Sequence, residues 1–348
     1  MIPANECLYW HPQKGVYVAT HVDDFLILGA DGNAIQELKN QLSNRFTMKD
    51  LGQCHTFLGI EISRDRPNRK IHLSQKSYIE KVLRVFGMES AVGKLTPMEV
   101  NSIRMLKANT EQASEENTKL FQSIIGSLMY TMIQTRPDIA FTICFLSRFL
   151  ANPTAAHLQA AHRALRYLAH TKTLGITYNG RKKGFKGVSD SDWGADMDTR
   201  SSTSGYLFFL YGGVITWKSG RQKTVALSST EAEYYGLSNA TREALWLRSL
   251  LKSLGYDEGL DPVVIEGDNQ GSLALTENPE FHQRTKHIDI KHHFLRQEVD
   301  ERRVAFSYIE TTKLAADGLT KPLNGAKHAE FIQQLGLEDW NTHSRVQE

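Results

Sequence analysis

The sequence predicts an α/β protein whose second half forms a mixed sheet with helices on its faces. Three observations lead to this class. The chain has 348 residues, 41% of them apolar, so two or three domains are expected. Glycine-bounded runs rich in β-branched and aromatic residues occur in both halves. In the second half such runs alternate with amphipathic helical runs, an order typical of layered α/β domains.

The first half begins with strands and continues with helices. Residues 15–29 predict a hairpin fragment, and residues 34–46 predict an amphipathic helix. Two strands are expected on either side of a turn at Pro67. The helices predicted after this point lie at 75–87, around 121–132, directly after Arg136-Pro137 and at 154–169, with a polar loop at 90–117.

A stretch rich in glycine and lysine at 171–186 marks a predicted domain boundary. Beyond it, three strands are followed by alternating helices and strands. The predicted strands lie at 185–190, 204–211, 214–218, 262–267 and 303–309, and the predicted helices at 229–253, 269–277, 286–299 and 313–320.

The composition excludes several classes of protein. No apolar run reaches the roughly 18 residues that a membrane-spanning helix needs, and no secretory signal begins the chain. The three distant cysteines, Cys7, Cys54 and Cys144, predict an intracellular reducing compartment without a disulfide scaffold or zinc-thiolate site. The formal net charge of +2 decides little about partners.

Four carboxylates lie on four separate predicted elements of the second half. Asp190 ends a strand, Glu233 lies in the first turn of the long helix, Asp268 ends another strand, and Asp317 lies in the last helix. Such ends can converge at one edge of a sheet. Carboxylates without nearby histidine or cysteine ligands suit hard cations such as Mg²⁺ or Mn²⁺. The pattern therefore predicts a metal site.

Helical periodicity separates two glutamates at the start of the long helix. Extending the apolar stripe of Leu237 and Ala240 back by one turn reaches Glu233, which therefore faces the core. Glu231 lies about 200° around the helix. The spacing Ser228-x-x-Glu231 predicts a capping box for it.

Several of the aspartates, taken alone, also have an ordinary structural role as an alternative to metal binding. Asp190 and Asp192 have the same strand parity, so alternation leaves both open. The segment 196–198 is expected to form a polar turn. Asp268 has the alternative role of a helix N-cap, and Asp317 that of an ordinary helix residue.

Adjacent aspartates, Asp23 and Asp24, occur near the start of the chain in the apolar run THVDDFLILG. Such a pair repels itself and costs desolvation energy, so it normally accompanies a cation. Both residues are therefore candidate metal ligands.

Eight segments between about Cys7 and Leu323 carry a combined family signal. They are HVDDFLILG, FLGIEI, IIGSLMYTMIQTRPDIAF, SDSDWGAD, STSGYLFFLYGGVITWKS, RQKTVALSSTEAEYYGL, TKHIDIKHHFLRQEV and LAADGLTKPL. Together they resemble the C-terminal part of the Pol polyprotein of copia-type retrotransposons. The resemblance implies a partial reverse transcriptase palm at 1–72, thumb and connection helices at 73–180, a ribonuclease H-like domain at 181–325 and a C-terminal tail at 326–348.

The resemblance also implies a site and a reaction. Asp190, Glu233, Asp268 and Asp317 match the metal-binding carboxylates of the ribonuclease H domain, which selects Asp190 over Asp192. The implied reaction is hydrolysis of the RNA strand of an RNA–DNA hybrid by two Mg²⁺ or Mn²⁺ ions about 3.5–4 Å apart. Contacts to 2′-hydroxyls would select the RNA strand.

Basic residues just before the catalytic helix are candidates to bind phosphates of the nucleic acid: Lys218, Arg221 and Lys223. The alternative is a solvated basic loop. A looser second group comprises Arg163, Arg166, Lys172, Lys182, Lys183 and Lys186. The loop 310–313 has no histidine, unlike many ribonuclease H domains, and His287, His292 and His293 are not spaced as a zinc site.

In the family, HVDD corresponds to the polymerase motif, with His21 in place of the usual tyrosine. Nucleotide addition also needs an earlier aspartate and a fingers region, and only 22 residues precede Asp23. We therefore expect an incomplete polymerase site. The alternatives are a non-catalytic nucleic-acid-binding remnant, or a polymerase completed by a separate fragment. The expected partners are an RNA–DNA hybrid and the remainder of the Pol polyprotein.

Overall fold

A computed structural model describes residues 2, 5–180, 184–277 and 289–340. Its strands form one three-stranded sheet and two five-stranded sheets. Within the described ranges, no helix combines the length and apolarity needed to cross a bilayer.

The predicted hairpin near the N-terminus is present in the three-stranded sheet. Its strands are β1 (Leu8–His11), β2 (Val16–His21) and β3 (Asp24–Gly29), each antiparallel to the next. Helix α1 (Gly32–Ser43) follows, and the Asp31 side chain caps it by accepting from the Asn33 N–H. The sheet contacts the second half of the chain through the Tyr17 hydroxyl, which donates to the Leu254 carbonyl at 3.0 Å.

One five-stranded sheet combines distant parts of the chain. Its antiparallel order is β13-β7-β6-β5-β4, from β4 (Thr56–Phe57), β5 (Ile60–Asp65), β6 (Lys70–Ser74), β7 (Leu174–Asn179) and β13 (Leu337–Asp339). Strand β7 lies inside the glycine- and lysine-rich stretch that predicted a boundary. Strands of this sheet come from both sides of the predicted limits at 72 and 180, and those limits remain a prediction.

Residues 326–340, predicted as the start of a tail, belong to the fold. Helix α10 (Gly325–Gln334) precedes β13, and its Phe331 is buried together with Leu335 and Leu337. These apolar side chains give the segment a packing face. The expectation of a tail followed from the family resemblance, which ended at Leu323, before these residues.

The α-helices between β6 and β7 are α2 (Lys76–Val85), α3 (Ser102–Met105), α4 (Glu115–Gln134), α5 (Ala140–Leu146) and α6 (Ala155–His170). Helix α4 packs against α2, α5 and α6. The side chains of Phe121 and Leu128 in α4 are fully buried. Helix α4 begins inside the predicted loop because Ser114 caps it, accepting from the Asn117 N–H.

The second five-stranded sheet has the order β10-β9-β8-β11-β12. Strands β8 (Phe185–Ser191), β9 (Thr203–Leu210) and β10 (Gly213–Arg221) are antiparallel, whereas β11 (Val263–Gly267) is parallel to both β8 and β12 (Val304–Tyr308). Helices α7 (Ser229–Ser253), α8 (Gln270–Glu277) and α9 (Asp289–Asp300) complete the unit. The mixed sheet with flanking helices confirms the predicted fold class.

The structure differs from the prediction at 313–320, where a last helix was expected. Two 3₁₀ segments, Thr311–Lys313 and Ala315–Leu319, occupy this stretch. An α-helix is disfavoured because Gly318 lies within the segment and Pro322 follows it. Asp317 is therefore carried by a tight 3₁₀ turn.

Candidate metal centre

Three of the predicted carboxylates meet at one edge of the second sheet. Asp190 lies in β8, Glu233 in the first turn of α7, and Asp268 directly after β11. Each offers an oxygen, and these oxygens all lie within 4.8 Å of one another. Asp190 and Glu233 are buried, and Asp268 is partly buried. Elements distant in sequence therefore converge on one acidic cluster.

Two glycines bring the elements of this cluster close together. A Cβ at Gly236 would lie 2.4 Å from the Ser191 hydroxyl oxygen, so a side chain there would push α7 away from β8. A Cβ at Gly205 would lie 2.4 Å from the Leu319 Cβ, in the segment that carries Asp317. The absence of side chains at both positions lets the carboxylates approach one another.

The cluster is electrostatically unfavourable without a cation. Burial raises the pKa of Glu233 to about 9, and the charges of Asp190 and Asp268 add to this shift. Burial likewise raises the pKa of Asp190 to about 7, with a further contribution from Asp317. A buried group of like charges is stabilised by a divalent cation with oxygen ligands. The side chains present therefore fit Mg²⁺ or Mn²⁺.

Asp317, the fourth predicted carboxylate, is buried beside the cluster and bound by a lysine. Its Oδ1 lies 2.8 Å from the Nζ atom of Lys321. Burial alone would lower the pKa of Lys321, but the hydrogen bond to Asp317 and the charges of Asp317, Asp190 and Asp268 raise it above its usual value. The Lys321 ammonium thus interacts with several acids of the cluster.

Two threonines hold carboxylates of the cluster. The Thr320 hydroxyl donates to Oδ2 of Asp190, and the Thr311 hydroxyl donates to Oδ2 of Asp268 at 2.7 Å. Thr311 lies in the loop 310–313, which contains no histidine. The sequence prediction missed Thr311, Thr320 and Lys321, although the last two lie in the segment LAADGLTKPL that identified Asp317.

Asp192 and Asp196, the neighbours of Asp190, have other partners. Asp192 accepts from the backbone N–H of Thr203, and burial raises its pKa to about 6. Asp196 accepts from the Asp198 N–H at 3.0 Å, as expected for a turn. The turn is not solvated at this point, because Asp196 is buried and pairs with Arg148 at 2.7 Å.

Helix capping is performed by neighbours of the candidate ligands. The Ser228 hydroxyl accepts from the Glu231 N–H at 3.1 Å, as predicted. The Glu231 carboxylate accepts from the Leu227 N–H at 2.7 Å, one residue earlier than in a capping box. Asn269 accepts from the Ser272 N–H at the start of α8, so the capping role considered for Asp268 falls to the next residue.

The predicted phosphate-binding residues are exposed, but two of them lie on a strand. Lys218 and Arg221 belong to β10, which extends beyond its predicted end, and Lys223 follows it. Arg221 lies 3.3 Å from Asp196 in an ion pair. The exposed Trp193 ring stands on the loop after β8, and its indole N–H donates to the Ala226 carbonyl at 3.1 Å.

The looser basic group is engaged elsewhere. Three of its members pair with acids, and one donates to a backbone carbonyl: Arg163 with Glu99, Lys172 with Glu80, Lys186 with Glu266, and Arg166 with the Val92 carbonyl. Lys182, Lys183, His287 and the side chain of His292 lie outside the described residues. His293 is exposed on α9.

Asp23 and Asp24 lie at the exposed turn between β2 and β3. The neighbouring Val22 is 88% exposed and has a φ of +52°. The expected desolvation cost is therefore absent. Among the described residues, no group of three or more potential ligands includes this pair. Its role as a metal site remains a prediction.

Comparisons with known proteins cover most of the chain. The family model "Reverse transcriptase (RNA-dependent DNA polymerase)" matches residues 2–100. The retrovirus-related Pol polyprotein from transposon TNT 1-94 of Nicotiana tabacum is 40% identical over 91% of this chain and 24% of its own length. A putative transposon Ty5-1 protein of Saccharomyces cerevisiae is 35% identical over 66% of this chain and 73% of its own length. The chain spans about a quarter of the curated Pol polyproteins it matches.

Among solved structures, a foamy viral protease-reverse transcriptase in complex with double-stranded DNA matches 84% of this chain and 46% of its own. The TM-score is 0.50 and the sequence identity is 13%, so the match concerns the fold alone. The second five-stranded sheet, with three antiparallel strands and two further parallel ones, is the part of this fold that carries the acidic cluster.

Proposed function

Because this chain belongs to the family of retrovirus-related Pol polyproteins from copia-type transposons, we propose that its second half is a ribonuclease H. Its substrate is the RNA strand of an RNA–DNA hybrid. The single observation that supports the proposal most strongly is the meeting of Asp190, Glu233 and Asp268, whose oxygens lie within 4.8 Å of one another.

Asp190, Glu233, Asp268 and Asp317 would hold the two Mg²⁺ or Mn²⁺ ions. When bound, such ions activate a water molecule and stabilise the leaving oxygen of a phosphodiester. Because the protein already places Asp190 and Glu233 together against their own repulsion, its contribution is to hold the ligands in position. The threonine hydroxyls on Asp190 and Asp268 keep these two carboxylates oriented.

The substrate would approach across the loops beside α7. Exposed Lys218, Arg221 and Lys223 carry positive charge that suits backbone phosphates. The exposed ring of Trp193, anchored to the Ala226 carbonyl, offers an apolar face to a sugar or base. A basic strand edge and an exposed aromatic ring in the half of the chain that carries the acidic centre suit a nucleic-acid duplex.

We do not expect nucleotide addition from the hairpin alone. Polymerase chemistry requires several carboxylates around its cations, and no third ligand joins Asp23 and Asp24 among the described residues. A non-catalytic nucleic-acid-binding remnant is the alternative function, because the basic and aromatic residues described above would serve binding equally well without hydrolysis.

The test is hydrolysis of a hybrid with labelled RNA by the purified chain in Mg²⁺. We expect cleavage by the wild type and loss of at least about a thousandfold in Glu233→Gln, since a ligand is removed. The matched control is Glu231→Gln, in the same helical turn, which alters a cap and should retain cleavage.

Two results would contradict the proposal. Equal cleavage by Glu233→Gln would indicate a contaminating nuclease. Hybrid binding without cleavage by the wild type would favour the non-catalytic alternative.

A further inference from the structure

Lys321 places a permanent positive charge at the rim of the acidic cluster. It follows Asp317 by four residues, and its Nζ atom lies 2.8 Å from the Asp317 Oδ1. Its side chain is 46% exposed, so the ammonium group lies between solvent and the buried acids. The nearby charges of Asp190 and Asp268 also act on it. The cluster therefore has a cation of its own.

The backbone around Lys321 is fixed from both sides. The Thr320 hydroxyl donates to the Asp190 carboxylate in β8, and the Ser219 hydroxyl in β10 donates to the Leu319 carbonyl at 2.6 Å. The Lys321 N–H donates to the Asp317 carbonyl at 3.2 Å. Hydrogen bonds to two strands of the sheet thus fix the backbone directly before Lys321. This position lets the Lys321 side chain reach the cluster.

A divalent ion coordinated by Asp317 would lie close to the Lys321 ammonium group. The ammonium group already occupies an oxygen of Asp317, and like charges repel, so the two cations compete. We propose that Lys321 is an internal counter-ion that stabilises the cluster before cations bind and lowers its affinity for them. This inference rests on the proposed function, because it assumes that the cluster binds divalent cations.

The test measures Mn²⁺ binding to the full chain by electron paramagnetic resonance of the free ion, without substrate. We expect Lys321→Met to bind Mn²⁺ about tenfold more tightly, because a competing charge is removed. Lys321→Arg keeps the charge and should bind like the wild type. The matched control is Lys327→Met, an exposed lysine on α10, which should also leave the affinity unchanged.

A second readout covers folding of the variant. In EDTA, the thermal midpoint of Lys321→Met should lie below that of the wild type, and saturating Mn²⁺ should restore it, because the added ion replaces the lost charge. Unchanged or weaker Mn²⁺ affinity in Lys321→Met would overturn the inference.

The two proposals fail in different ways. If Glu233→Gln abolishes Mn²⁺ binding while Lys321→Met leaves it at the wild-type level, only the counter-ion role is wrong. If the wild-type chain binds no Mn²⁺ at millimolar concentration, the metal centre itself is wrong, and the counter-ion role falls with it.

Discussion

Two groups of acidic residues in this chain attracted the same interpretation from sequence and have opposite surroundings. Asp23 and Asp24 are adjacent in sequence but lie at an exposed hairpin turn. Asp190, Glu233 and Asp268 are tens of residues apart, yet their oxygens meet within 4.8 Å, and two of them are buried. The two aspartates that are adjacent in sequence are therefore not part of a buried acidic cluster, whereas three carboxylates from separate elements form one. Burial makes the second group costly without a cation.

Paired substitutions in the buried cluster and at the exposed hairpin turn test the difference between the two acidic groups most directly. Asp190→Asn should abolish Mn²⁺ binding and reduce hybrid hydrolysis by at least about a thousandfold, because a buried ligand is lost. The double variant Asp23→Asn/Asp24→Asn should retain both properties. Calorimetric Mn²⁺ titration and the hydrolysis assay measure them. Loss of Mn²⁺ binding in the hairpin variant would reverse the assignment of the two groups.

The pH dependence of the free energy of unfolding reports on the buried carboxylates Asp190 and Glu233 of this comparison. Folding raises the pKa of Asp190 from 3.8 to about 7 and that of Glu233 from 4.5 to about 9. Between the unfolded and the folded pKa of each group, the folded chain therefore holds a proton that the unfolded chain has lost. The free energy of unfolding in EDTA should therefore fall as pH rises from about 5 to about 9. The slope is about 1.4 kcal/mol per pH unit for each extra proton.

Denaturant unfolding at several pH values in EDTA measures this slope. Glu233→Gln should flatten it, because the group with the larger shift no longer titrates. Saturating Mg²⁺ should flatten it as well, since the cation stabilises the ionised carboxylates. A wild-type slope in Glu233→Gln would show that the cluster is not the origin of the pH dependence.

Close approach of α7 to β8 is the next point to test. Gly236→Ala should destabilise the fold by about 1–3 kcal/mol and weaken Mn²⁺ binding, because its Cβ would meet the Ser191 hydroxyl oxygen at 2.4 Å. Gly126→Ala in α4 is the control, since a Cβ there meets nothing within 4 Å. It should stabilise the fold by up to about 1 kcal/mol.

Thermal unfolding and Mn²⁺ titration of these two variants supply the measurement. If both glycine variants keep the wild-type affinity for Mn²⁺, the distance between α7 and β8 does not control the centre.

The smallest expected effect concerns the substrate face. Trp193→Ala should weaken binding of an RNA–DNA hybrid in Ca²⁺ by about tenfold, because an aromatic contact is lost. Trp246→Ala, on the exposed side of α7, is the matched control and should bind like the wild type. Fluorescence anisotropy with a labelled hybrid measures both. Equal weakening by the two variants would remove Trp193 from the proposed contact surface.

Sequence reasoning found the parts of the centre that local periodicity or family motifs specify. Glu233 lies at the sheet edge with Asp190 and Asp268, on the side that the apolar stripe of α7 indicated. Ser228 caps the helix as its spacing predicted, but the Glu231 carboxylate accepts from the Leu227 N–H and does not complete the predicted capping box. Strand alternation did not separate Asp190 from Asp192, because both have the same parity. The backbone N–H that donates to Asp192 belongs to Thr203 on the neighbouring strand β9. A local sequence pattern does not predict which strands pair, so this partner could not be foreseen.

Other features needed tertiary structure for similar reasons. Thr320 and Lys321 reach the cluster directly after a 3₁₀ segment, Ala315–Leu319, in a stretch where the pattern predicted a helix at 313–320. Residues 325–339 fold because Leu337 pairs with Ile176 of β7, a partner about 160 residues away. Asp23 and Asp24 are exposed because they lie at the turn between β2 and β3, which the surrounding apolar residues did not reveal.

The most direct test of the central claim is a crystal of the full chain soaked in Mn²⁺ and measured for anomalous scattering. The account predicts manganese peaks between the carboxylate oxygens of Asp190, Glu233 and Asp268. Carboxylates that lie apart with no peak between them, or manganese bound instead at Asp23 and Asp24, would contradict it.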